Sequence, residues 1–263
     1  LYQLSRAYDL QGKGRESAII LRELLNVQPD SLHANEAWFR QGEGYFSAGE
    51  YQQAADAYEK VLQSEQYDTF FAMAAYMQGW AFYKLEAQEK ALASFDKMLT
   101  ASFSALPDAQ NDFAYSLPTI DALSKGQQRL VQDSLRVMGL LFSYRGNGEA
   151  IIDFYRFYGD KPHSYLVYNE LAQQHLDNDR YLDAAEAYLA FAQTHPSHAE
   201  AVPFYVKHID AFILGDFPSP PAQLRGRCPN DTQPVWARPG PSAGILFHPS
   251  GLPPRSLRSA GSL

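Results

Sequence analysis

Small and aromatic residues alternate along the first two hundred positions, with a long period laid over a helical one. In "AWFRQGEGYFSAGEYQQAADAYEKVLQ", residues 37–63, Trp38, Gly42, Tyr45, Ala54 and Tyr58 stand at successive offsets of four, three, nine and four. Steps of three and four keep residues on one face of a helix, and the step of nine spans "SAGEY", a Gly-containing turn. The stretch therefore predicts two antiparallel helices. Gly42 and Ala54 let their backbones approach closely, while Tyr45 and Tyr58 fill the space beside them.

The pattern recurs. Gly42, Tyr45, Ala54 and Tyr58 map onto Gly79, Phe82, Ala91 and Phe95, each 37 residues on, and the same step backwards reaches Ser5, Tyr8, Ser17 and Leu21, with Pro29 closing the unit. A fourth unit reads Gly139, Phe142, Ile151, Tyr155 and Tyr158. A fifth reads Tyr168, Leu171, Ala172, His175, Ala184, Tyr188, Phe191 and Pro196, with "NDRY" as its turn. Residues 198–214 look like the first helix of a sixth unit. Between the third and fourth units, a segment near 101–127 containing "LPDAQND" and "SLPT" reads as a loop with one short helical turn at "TIDALSK".

The order W-x2-L-G-x2-Y, then A-x3-F, then a closing Pro resembles the tetratricopeptide repeat, over roughly residues 1–214. The departures are a period of 37, Gln41 and Gln78 at the Leu position, and His175 at a Tyr position. The resemblance implies an all-α fold, a right-handed superhelical solenoid of antiparallel helix pairs, with the first helix of each unit lining a concave groove. The stretch "DSLRVMGLLFSYRGNGEAIIDFYRFYG" looks like repeat proteins of Gram-negative bacteria. The later "RYLDAAEAYLAFAQTHPSHAEA" is similar to repeats in outer-membrane assembly lipoproteins of the BamD type. That likeness implies a periplasmic or outer-membrane-associated protein, with cytoplasm the alternative.

Groove positions carried over from the family fall on Phe39, Glu43, Phe46 and Ser47 in the second unit and on Tyr76, Trp80, Tyr83 and Lys84 in the third. In the fourth they are Arg136, Leu140, Ser143 and Tyr144, and in the fifth Asn169, Gln173 and Asp177. Five aromatics in two adjacent units are the usual anchors of peptide recognition. The alternative use of those rings is packing against neighbouring helices. The Lys and Asn set that clamps a C-terminal carboxylate in chaperone-binding members is replaced by Glu43, Phe39 and Trp80, so the groove suits an apolar or aromatic segment.

Charge narrows the partners. The 263 residues carry a formal charge of −8, but residues 218–263 hold five Arg and one Asp, which leaves the first 217 at about −12. An acidic surface repels phosphate backbones, which argues against nucleic acid. No apolar run is long enough to span a bilayer. The single cysteine, Cys228, lies in the tail, so the body has no internal disulfide and no thiolate ligand. The chain begins at Leu1, without Met and inside a repeat, and reads as a fragment of a longer protein.

The tail breaks the pattern. Ten of its 46 residues are Pro, against six in the preceding 217, and Lys and Glu vanish. Residues 215–263 are expected to be disordered, either foreign to the repeat array or a Pro-rich linker. The sixth hairpin is then half-made, and its open end near Phe204 and Phe212 offers a surface for self-association.

No catalytic constellation stands out. His195 and His198 flank the closing Pro196 and read as a turn rather than as metal ligands, and His175 reads as a packed histidine. His163 and His208 have no acidic partner at helical spacing. "QGKGR" and "YRGNGE" are Gly-rich turns between helices and follow no strand, so neither is a phosphate loop. No cofactor is implied. The sequence thus predicts a non-enzymatic scaffold that binds a protein or peptide through Phe39, Glu43, Phe46, Tyr76, Trp80, Tyr83, Arg136 and Tyr144. The alternative is the helical, non-catalytic arm of a larger enzyme, such as a cell-wall-processing protein.

Overall fold

The computed structural model describes residues 1–29, 31–63, 69–106 and 117–217. Among the described residues it contains eleven α-helices and no strand. These are α1 (Tyr2–Leu10), α2 (Gly14–Val27), α3 (Ala34–Ser47), α4 (Tyr51–Leu62), α5 (Thr69–Lys84) and α6 (Gln88–Ser104), then α7 (Lys125–Arg145), α8 (Asn147–Tyr158), α9 (Ser164–Asp177), α10 (Tyr181–Thr194) and α11 (Ala201–Leu214). Each helix packs chiefly on those near it in sequence, and α7 and α9, like α8 and α10, also meet directly. This near-neighbour packing is that of a helical-repeat solenoid, the fold class expected from the sequence.

The small positions do what the spacing predicts. A Cβ on Gly42 would meet the ring of Tyr58 at 2.5 Å, and one on Gly79 would meet the ring of Phe95 at 2.7 Å. Both rings are fully buried. Burying a ring of this size stabilises by roughly 1.5–3 kcal/mol, and only glycine leaves it the space. In the first unit, Ser5 and Ser17 take the two small positions and share a buried hydrogen bond of 2.9 Å.

The turns repeat as strictly as the packing. Gly12, Gly49, Glu86, Asp179 and Asp216 all have φ between 55° and 79°, in the left-handed region. Each turn makes the same two bonds: Gly49 N–H donates to the Phe46 carbonyl and Glu50 N–H to Tyr45, while Glu86 donates to Tyr83 and Ala87 to Phe82. This pair of bonds is the Schellman ending, which satisfies two orphan carbonyls and reverses the chain. Only two of the five positions carry glycine, so the hydrogen bonds impose the conformation where the residue does not favour it.

The fourth unit differs from the expected hairpin. A Cβ on Gly139 would meet the Gln174 side chain of α9 at 2.8 Å, not Tyr155 of its own unit, and one on Gly148 would meet Ala190 of α10. Here α7 is closely fitted to α9 and α8 to α10, so the glycines serve contacts between units. The expected insertion also begins later than residue 101. Helix α6 continues to Ser104 because Ala101, Ser102 and Phe103 are buried, with Phe103 stacked on His163. The helical turn in "TIDALSK" is present as a 3-10 turn, Ile120–Ala122, and Ser124 then opens α7 with a capping box to Gln127. All of "LPDAQND" after Leu106, and the tail from residue 218 on, lie outside the described residues.

Phe204 and Phe212 are themselves covered. Phe204 is fully buried between Tyr188 and Phe191 of α10, and Phe212 is buried beside His208. They form the face by which α11 docks on the preceding unit. The exposed apolar residues of α11 are on its other side: Val202, Val206, Ile209, Ile213 and Leu214.

Candidate functional site

Helices α3, α5 and α7 carry the eight candidate groove residues, and the structure sorts them into two groups and one outlier. On α5, Tyr76, Trp80 and Tyr83 are half-buried and form a row. Trp80 meets Tyr76 edge-on with ring centres 6.3 Å apart and Tyr83 edge-on at 5.5 Å. Tyr76 and Trp80 also lean on the buried Phe95. Spacings of four and three along one helix produce this row, since they stack the side chains on a single face.

Helix α7 braces the row. The Tyr76 hydroxyl donates to Asp133 Oδ2 at 2.6 Å, and Arg136 Nη2 donates to Asp133 Oδ1 at 2.7 Å. Burial and the bond to Asp133 push the Tyr76 hydroxyl up to about 12. Burial opposes ionisation of Asp133, but hydrogen bonds from Tyr76 and Arg136 outweigh it and hold its carboxyl below the usual range. The Gln174 side chain of α9 donates to the Arg136 carbonyl at 2.9 Å, so the brace continues into the fifth unit.

The second group lies on α3. Phe39 contacts the rings of Tyr58 and Phe70, and Glu43 accepts a 2.9 Å hydrogen bond from the Tyr58 hydroxyl. Burial and the Glu43 carboxylate raise the Tyr58 hydroxyl far above its ordinary range. Phe46 turns to Tyr51 within its own hairpin. An open cleft of about 420 Å³ lies beside this group, lined by Asp9, Leu21, Phe39, Arg40, Glu43 and Phe70 among others. Arg40 is paired with Asp9 of α1 and with Glu36 one turn back on its own helix. Tyr144, near the end of α7, is the outlier: it is 76% exposed.

Two polar arrangements escaped sequence reasoning. Asp96 of α6 accepts from Tyr155 of α8 at 3.1 Å and pairs with His163 Nε2 at 2.9 Å, all three being buried. His163 therefore does have an acidic partner, 67 residues away, where no helical spacing could reveal it. The group is closed to solvent and ties three helices together. The second concerns the Leu position of the repeat. Gln78 donates to the Ala55 carbonyl and to Glu59, and accepts from Ser94 at 2.8 Å. His208, 130 residues later, bonds the Ala185 carbonyl through Nδ1 at 2.8 Å. Both carbonyls lie 23 residues before the side chain they meet. Gln78 and His208 at this buried position each link their unit to the one before it.

His175 is buried, with Nε2 3.0 Å from Asn147 Oδ1, and burial lowers its pKa, helped by Arg180. Among the described residues no group of three or more His, Cys, Asp or Glu side chains is placed to hold a metal ion, and no helix is long and apolar enough to cross a membrane.

A family model of the tetratricopeptide repeat matches residues 35–66, which span α3 and α4. No curated protein matches the chain. The matched repeat and the stacked helix pairs together support a tetratricopeptide repeat protein. Repeats of this family typically act as non-catalytic protein-interaction modules, which suggests a protein–protein interaction scaffold.

Proposed function

We propose that the chain is a non-enzymatic scaffold that binds an apolar or aromatic protein segment along α3, α5 and α7, within a bacterial envelope assembly. The observation that carries this reading is the row Tyr76–Trp80–Tyr83, partly open to solvent and fixed by Asp133 and Arg136. Rings already held edge-to-edge lose little side-chain freedom on binding, so their buried area converts efficiently into affinity. Phe39 and the cleft beside it extend the apolar surface by one unit. The envelope setting rests on the likeness of residues 133–159 and 180–201 to Gram-negative repeats, and the array through Leu214 serves as the binding domain.

The test is capture from a bacterial envelope extract by the whole chain and by its Trp80→Ala/Tyr83→Ala form, read by mass spectrometry, with circular dichroism to check that helicity is equal. A protein retained by the first and lost from the second supports the groove. Identical captures would overturn it.

A further inference from the structure

Gln41 and Gln78 take the same buried place in successive units, yet only Gln78 has its side chain bonded. Gln78 Nε2 donates to the Glu59 carboxylate at 2.9 Å and to the Ala55 carbonyl, and Gln78 Oε1 accepts from Ser94. Lys97 Nζ lies 4.0 Å from the same Glu59 carboxylate. One carboxylate is thus shared by an amide and an ammonium where the third unit meets the second.

The repeat step of 37 residues, taken backwards, carries Gln78 to Gln41, Lys97 to Lys60, Glu59 to Arg22 and Ser94 to Ala57. The amide and the ammonium are kept, but a guanidinium stands where the carboxylate was. Gln41 is only 8% exposed, and its side chain, like those of Arg22 and Lys60, has no hydrogen-bond or ion-pair partner among the described residues. All three line one cleft of about 320 Å³, walled by Trp38, Tyr45 and Ala57. That volume is at the small end of the range for ligand sites. A buried amide left unbonded costs free energy, and two cations lining one cleft repel each other.

The only acidic residue in the lining, Asp56, accepts a hydrogen bond from Gln52. Two cations and one carboxylate leave a single positive charge, which one more carboxylate balances. A doubly charged phosphate would overshoot it, on a body that is already acidic. We infer that this cleft is a carboxylate-binding site, in which the bound group takes the part that Glu59 plays one unit later. Gln41 and Lys60 donate to it as Gln78 and Lys97 do to Glu59, and Arg22 is the added donor that holds a carboxylate from outside the chain.

The site shares no residue with the cleft beside Phe39, so it is independent of the aromatic groove, and the Trp80→Ala/Tyr83→Ala form should keep it. The probes are Ac-Glu-NH2, which presents one carboxylate on a peptide unit, and succinate, a free organic acid, with Ac-Gln-NH2 and inorganic phosphate as controls. The readout is 15N NMR of the full chain, following the Gln41 side-chain amide, which is assigned by its loss in Gln41→Leu. A saturable shift with Ac-Glu-NH2 or succinate is expected, and none with Ac-Gln-NH2; the tighter acid tells whether a protein side chain or a free acid is the source. Arg22→Glu restores the arrangement of the next unit and should weaken binding at least about tenfold, because a charge-assisted donor is lost and the chain's own carboxylate competes. The same variant should unfold at a higher urea concentration, with circular dichroism confirming equal helicity. No saturable shift with either acid, binding unchanged in Arg22→Glu, or phosphate bound as tightly as the acids overturns the inference.

Discussion

Gly42 and Tyr58 are in direct contact: the open side of the glycine faces the ring of the tyrosine 16 residues later, and a Cβ there would lie 2.5 Å from it. The ring is fully buried, so it has nowhere to retreat. Gly42→Ala should therefore destabilise by about 1–2 kcal/mol, overpacking outweighing the gain in helix propensity. Gly44, on the same helix with nothing within 4 Å, is the control, and Gly44→Ala should stabilise by roughly 0.5–1 kcal/mol. Urea unfolding of the two variants checks the opposite signs.

Glu86 holds φ at 58° in the turn where Gly12 and Gly49 stand in the first two units. A left-handed residue with a Cβ costs about 1–2 kcal/mol, and glycine removes that cost. Glu86→Gly is expected to stabilise by about 1 kcal/mol, read as a higher urea midpoint at constant m-value. An unchanged midpoint would show that the turn bonds relieve the strain in full.

Gln78 and Ser94 are both buried and bonded to each other. Gln78→Leu restores the apolar residue usual at this position but leaves the Ser94 hydroxyl without its acceptor, a loss of about 1–3 kcal/mol. Adding Ser94→Ala should recover most of it. A double-mutant cycle with no coupling would rule out this account.

His175 has its pKa lowered by burial, with Arg180 adding to the effect. The folded state thus binds fewer protons than the unfolded state as pH falls below the ordinary histidine value of about 6.5. Stability should fall with pH from that point downward, until the folded-state pKa is reached. His198, also lowered by burial and by His195, contributes in the same direction. His175→Gln should flatten the dependence of the urea midpoint between pH 7 and 5, because glutamine can still bond Asn147 but does not titrate. An identical slope in the variant would exclude His175 as a source.

The repeat was legible because local packing imposes it. Close approach of two helices joined by a short turn demands a small residue and a large one at fixed offsets, and these recur at Gly42 and Tyr58, Gly79 and Phe95. The fourth unit shows the limit of that logic: Gly139 has the expected identity, but its neighbour is Gln174, because α7 packs on α9. That Tyr76, Trp80 and Tyr83 share one face of α5 was legible from their spacing. Their mutual orientation was not, since Tyr76 is fixed by Asp133, 57 residues away.

What could be read from the chain alone is what depends on residues within one hairpin: helices, turns, the period and the all-α architecture. Folding alone could reveal which residues meet across hairpins, namely Asp96 with His163, Tyr76 with Asp133, and Phe204 with α10 while Ile209 faces outward. Helical periodicity constrains partners a few positions apart. It says nothing about partners brought together by the stacking of one unit on the next.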